Sequence, residues 1–141
     1  MTNEKQAVSD VVKDFLDSYA QKSIERCMSL ISVSSPILIF GTNENEVFKT
    51  RDEMSAAFKR DFENMTNIHW GQHRRFHVEA LSTLASVLVE LPISYQTGGK
   101  EVKALFRYAL TLTKESGQWK ICSGMASVPF KAGAYTVEDN T

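Results

Sequence analysis

The chain has 141 residues, 43% of them hydrophobic, and 16 basic against 17 acidic side chains give a formal net charge of −1. That length favours one domain with one core, taken as residues 1–141, and the apolar fraction excludes a disordered chain. A balanced charge with scattered lysines and arginines argues against nucleic acid or a membrane surface as partner. Cys27 and Cys122 stand far apart and read as two small buried thiols. The first residues, Met1 to Gln6, form no apolar signal core, and no run approaches the roughly 20 apolar residues of a membrane span. A cytoplasmic location is therefore expected.

The first half of the chain reads as helical and the second as extended, a segregation that points to α+β. Val8, Val11, Val12, Phe15, Leu16 and Tyr19 recur at helical spacing opposite Asp10, Lys13, Asp14 and Asp17. A short second helix buries Ile24, Cys27, Met28 and Ile31. Pro36 ends that pattern, and Ile37 to Phe40 form a β-prone run closed by Gly41. Asn43-Glu44-Asn45 turns the chain into a short return strand at Val47-Phe48. Thr50-Arg51-Asp52-Glu53 carries the residues of a capping box, followed by an apolar stripe of Met54, Ala57, Phe58, Phe62 and Met65. From Ile68 the period becomes two. Phe76, Val78 and Ala80 alternate with Arg75, His77 and Glu79, and a long strand covers Ala85 to Tyr95. After a turn at Gly98-Gly99, Val102, Ala104, Phe106, Tyr108, Leu110 and Leu112 form one apolar face. A second turn at Glu115-Ser116-Gly117 leads into the last strand. Residues 130–141 are expected to form a surface tail.

Trp119, Ile121, Ser127 and Pro129 stand where a W-x-I-x-H-x-H-x-S-x-P strand would place them, with Ser123 and Met125 in the two histidine positions. Ile39 to Phe48 is similar to a G-T-x-x-x-E turn preceding a third helix. In these segments, and in its opening helix pair, the chain resembles the SnoaL-like domains of the NTF2-like superfamily, over about Ala7 to Pro129. The resemblance implies a conical barrel in which three N-terminal helices pack into a strongly curved antiparallel sheet of about six strands. It also implies a mostly apolar cavity and frequent dimerisation through the outer face of the sheet.

The chemistry of the family does not carry over residue by residue. Ketosteroid isomerases of this fold use a tyrosine on the first helix and an aspartate at the first strand. The matching positions here are Phe15 and about Leu38, with Tyr19 one turn further along. No carboxylate lies between Glu25 and Glu44, and none lies between Trp119 and Pro129. No catalytic residue is therefore assigned and no cofactor is expected. His69, His73 and His77 are spaced by four, but four residues of strand span about 13 Å, too far to close on one ion, so no metal site is expected. Glu90 interrupts an apolar run and would be a candidate acid if it faced the cavity; an exposed position is the preferred reading.

A small, partly hydrophobic molecule is the expected ligand. Tyr19, Phe40, Trp70, His73, Tyr108, Ser123 and Met125 are its candidate contacts, with proton transfer or elimination as the expected chemistry. On strict alternation Cys122, Gly124 and Ala126 fall on the opposite, outer face, beside Arg107 and Ala109. That flat surface is the expected homodimer interface. A non-catalytic dimerisation or interaction module is the alternative.

Overall fold

In the computed structural model, residues 3–132 are described; most of the expected surface tail lies outside them. Helix α1 spans Asn3–Ala20 and α2 Ile24–Ser29; strands β1 (Leu38–Phe40) and β2 (Val47–Phe48) precede helix α3 (Arg51–Asn64). Five strands follow: β3 (Thr66–Trp70), β4 (Arg75–Ala80), β5 (Leu84–Thr97), β6 (Lys100–Glu115) and β7 (Gln118–Ser127). The fold is α+β, as expected.

The helices start where their caps dictate. The Ser23 hydroxyl accepts from the Arg26 N–H at the head of α2. At α3 the Thr50 hydroxyl accepts from the Glu53 N–H, while the Glu53 carboxylate accepts from the Thr50 N–H, a complete capping box. Arg51 then ties α3 to the end of α2, its guanidinium donating to the carbonyls of Met28 and Ile31.

The strands form one seven-stranded sheet in the order β2-β1-β7-β6-β5-β3, with β4 also pairing β5. The long strands are antiparallel, but β1 lies parallel to β7, so the sheet is mixed rather than wholly antiparallel. Strand β5 is long enough to pair with β4 along Ala85 to Glu90 and with β3 along Ile93 to Gln96. Pro92 sits at the junction. Its carbonyl accepts from the Gly71 N–H at 2.8 Å, and its missing donor falls where one ladder has ended and the next begins. Gly98 and Gly99, with φ of 55° and 77°, close the β5–β6 hairpin, a turn whose positive φ angles match the strand twist.

The core lies between α1, α3 and the concave face of the sheet. Val8, Val12, Phe15 and Leu16 of α1 are buried with Val87, Val89, Leu91 and Ile93 of β5, Leu110 and Leu112 of β6, and Trp119 and Ile121 of β7. Phe106 and Leu110 face inward, as the period of β6 requires. Among the described residues no helix is long and apolar enough to cross a membrane.

The alternation of β7 breaks at Cys122. Leu112 pairs with Ile121, whereas Thr111 pairs with Ser123, so Cys122 is the extra residue of a β-bulge. Beyond it the two faces exchange. Leu110 and Tyr108 point inward, and their cross-strand partners Gly124 and Ala126 share that face. Gly124 is required there, since a Cβ would lie 2.4 Å from the Ala109 carbonyl oxygen.

Candidate functional site

Between the C-terminal half of α1, the length of α3 and the β1–β7 edge, the cone holds a cavity of about 230 Å³. Phe15 and Tyr19 enter it from α1. Met54, Ala57, Phe58 and Asp61 enter from α3, Met65 from the residue that caps its end, and Tyr95, Phe106, Tyr108 and Ala126 from the sheet. Phe40 and Met125 lie at its rim with the loop from Gly41 to Glu46. A cavity of about 150 Å³ holds benzene, so this one has room for a ring with substituents.

Its polar centre is a pair of side chains. The Tyr19 hydroxyl donates to Asp61 Oδ2 at 2.7 Å, with Met65 Sδ also close at 3.5 Å. The Tyr19 ring is fixed edge-on against Phe62, 5.1 Å between centroids, and tilted against Trp70 at 6.2 Å. Trp70 is held in turn by its indole N–H, which donates to the Leu16 carbonyl at 2.9 Å. The pair therefore rests on a locked aromatic scaffold rather than on a loop.

Burial raises the Asp61 carboxyl above its ordinary value, and the charge of Glu46 adds to this; the Tyr19 hydrogen bond and the Arg60 charge act the other way. Burial first, and Asp61 second, drive the Tyr19 phenol well above its ordinary value. Burial and the Asp61 charge do the same to Tyr108. The Tyr108 hydroxyl has no hydrogen-bond partner among the described residues, although its ring packs against Trp70 and Phe106. A cavity holding an acid of raised pKa and an uncommitted phenol can accept a proton at one point and donate a hydrogen bond at another.

Of the residues singled out from sequence, Tyr19 and Tyr108 line this cavity, while Phe40 and Met125, paired in register on the outer side, reach it only at the rim. Trp70 does not line it but supports Tyr19, Phe106 and Tyr108 from behind. His73 is exposed, with its ring against Phe76. Ser123 is turned to the outer face by the bulge at Cys122, so it does not line the cavity. Asp61 was missed. It was legible all the same: Met54, Phe58, Asp61 and Met65 recur at helical spacing, so an acid stood inside an apolar stripe.

The bulge also corrects the expected interface. Gly124 and Ala126 face inward, and Met125 and Ser127 join Arg107 and Ala109 on the outer side of the sheet. Cys122 sits at the bulge, its thiol donating to the Thr111 carbonyl. Glu90 is neither in the cavity nor exposed. It lies on the outer face at 6% exposure, clamped by Arg75 and by Arg107, whose Nε lies 2.7 Å from Glu90 Oε2. The Arg107 hydrogen bond is the main cause that holds its carboxyl below the ordinary value.

Solved structures share this architecture at low identity. A provisionally assigned dehydratase of the NTF2-like family from Streptomyces avermitilis superposes with a TM-score of 0.83 at 16% identity, covering 91% of this chain and 98% of the other. A ketosteroid isomerase-like protein from Erwinia carotovora atroseptica gives 0.79 at 13% identity, over 93% and 100% of the two chains. A provisionally assigned calcium/calmodulin-dependent protein kinase II association domain from Xanthomonas campestris gives 0.75 at 16%, over 89% and 87%. Such distant likeness shows the fold and leaves the chemistry to the site. No curated protein matches the chain. The profile of the SnoaL-like domain matches residues 8–131, and with that span the chain belongs to the SnoaL-like family.

Proposed function

We propose that this protein binds a compact, partly hydrophobic molecule in the cone cavity and moves a proton on it, with Asp61 as the proton acceptor. The observation that carries this reading is the Tyr19–Asp61 hydrogen bond, set in an aromatic cavity that also holds the uncommitted hydroxyl of Tyr108. A general base works best with a pKa brought toward the working pH, and burial shifts Asp61 in that direction. Tyr19 orients the carboxyl. Tyr108 is placed to donate to an oxygen on which negative charge develops. Enolate-type isomerisation, aldol-type cyclisation and elimination next to a carbonyl all begin with such a step. Two unpaired cysteines agree with a cytoplasmic setting for it.

Proton exchange at carbon tests this directly. Compact ketones and aldehydes of neutral, cationic and anionic type are incubated with the protein in deuterated water, and loss of the C–H signal is followed by NMR. The reading predicts catalysed exchange for at least one of them, slowed about 100-fold or more by Asp61→Asn. No exchange with any of them, or equal rates in the variant, would overturn it.

The outer face supports a homodimer as part of the same proposal. Leu88, Ala109 and Met125 pair across three adjacent strands as one apolar row, with Leu88 54% and Met125 46% exposed. The Arg75–Glu90–Arg107 cluster borders this row. Light scattering at micromolar concentration should report a dimer that Leu88→Glu dissociates. A monomeric wild type would remove the interface and leave the cavity reading untouched.

A further inference from the structure

The cavity has a charge as well as a shape. Among the described residues its lining includes two carboxylates, Asp61 and Glu46, and no lysine, arginine or histidine. The cation acting on Asp61 is Arg60, which is exposed on α3 and forms no ion pair with it among the described residues. Glu46 is turned back on its own loop, where Oε1 accepts from the Asn43 N–H at 2.8 Å. Asp61 is held through Oδ2 by Tyr19, and Oδ1 has no hydrogen-bond partner among the described residues. The walls of the same cavity are largely aromatic: Phe15, Tyr19, Phe58, Tyr95, Phe106 and Tyr108 all contribute.

From this arrangement we infer that the ligand is a compact organic cation, a protonated amine or quaternary ammonium on an apolar or aromatic body. A half-buried carboxylate without an ion-pair partner is partly stripped of water at a cost, and a ligand that brings the positive charge offsets that cost. Ring faces attract the same charge through their quadrupoles, more strongly when water is excluded. An anionic ligand would meet two like charges and no counter-ion. A neutral ligand would fill the volume but leave Asp61 unpaired. Arg60, Glu46, Tyr19 and Tyr108 are the other groups that act electrostatically on the pair of Asp61 and cation.

The inference rests on the cavity being a ligand site and adds the sign of the ligand's charge. Calorimetry with benzylammonium, benzyl alcohol and benzoate, probes of one shape and three charges, separates the two claims. The Met65 methyl resonance reports whether each probe enters the cavity. Benzylammonium is expected to bind about tenfold or more tightly than benzyl alcohol, with benzoate weakest. Asp61→Asn should erase the preference for the cation while keeping affinity for the alcohol. Glu46→Gln, at the rim, should reduce the preference by a smaller factor, and serves where Asp61→Asn does not fold. Benzyl alcohol or benzoate binding as tightly as the cation, or a preference surviving Asp61→Asn, would overturn the charge assignment and leave the cavity reading standing. Failure of all three probes to move Met65 would overturn both.

Discussion

Two carboxylates interrupt apolar stretches of this chain, and the fold treats them in opposite ways. Glu90, on the outer face of β5, is covered by two arginines that neutralise it and lower its pKa. Asp61, on the inner face of α3, has one phenol for a partner and a pKa raised by burial. The first carboxylate is a finished structural contact. The second is an unbalanced charge in a cavity, which is how functional sites commonly differ from structural ion pairs.

The bulge in β7 decides which residues of that strand face the cavity and which the outer side, so breaking it should have the largest effect. Gly124→Ala would place a Cβ 2.4 Å from the Ala109 carbonyl oxygen, a backbone atom that cannot swing aside. The expected loss is about 1–3 kcal/mol of stability, read as a lower denaturant midpoint, with a weakened cavity beside it. An unchanged midpoint would mean that the bulge is absent in solution. Tyr19→Phe comes next. Removing the hydroxyl takes away the one hydrogen bond that lowers the Asp61 pKa, so the carboxyl should titrate higher still, at a cost of about 1 kcal/mol.

The smallest effect sharpens the comparison through pH. Asp61 is raised above 3.8 in the fold, so the native state holds its proton longer than the unfolded chain does. The contribution of Asp61 to stability therefore falls as pH rises from 3.8 through the folded midpoint. Glu90 is lowered from 4.5, so its contribution is present above 4.5 and is lost as pH falls through the folded midpoint. Across the acid range, the melting temperature of Asp61→Asn relative to wild type should rise with pH. That of Glu90→Gln should fall. Parallel slopes for the two variants would erase the distinction drawn here.

The helices, the hairpins and the inward face of β6 were legible because each follows one period over many residues. The capping box at Thr50 could be read from four residues. The orientation of Ser123, Met125, Gly124 and Ala126 could not be read by counting in twos, because one extra residue in a strand reverses everything beyond it. The available sign was Gly124 itself, a glycine within a strand. Tyr19 was found because it sits on the apolar face of α1, whereas Asp61 drew no notice beside the apolar residues of α3. Its position in the stripe of Met54, Phe58 and Met65 pointed inward. Its partnership with Tyr19 joins residues 42 apart in sequence and needed the fold to appear.

The most direct test is the titration of Asp61 itself, followed through its carboxyl carbon resonance by NMR with and without benzylammonium. A midpoint above 3.8 in the free protein, moving down when the amine is added, is the predicted result. A midpoint at or below 3.8 that the amine leaves unmoved would contradict an unpaired acid waiting in the cone.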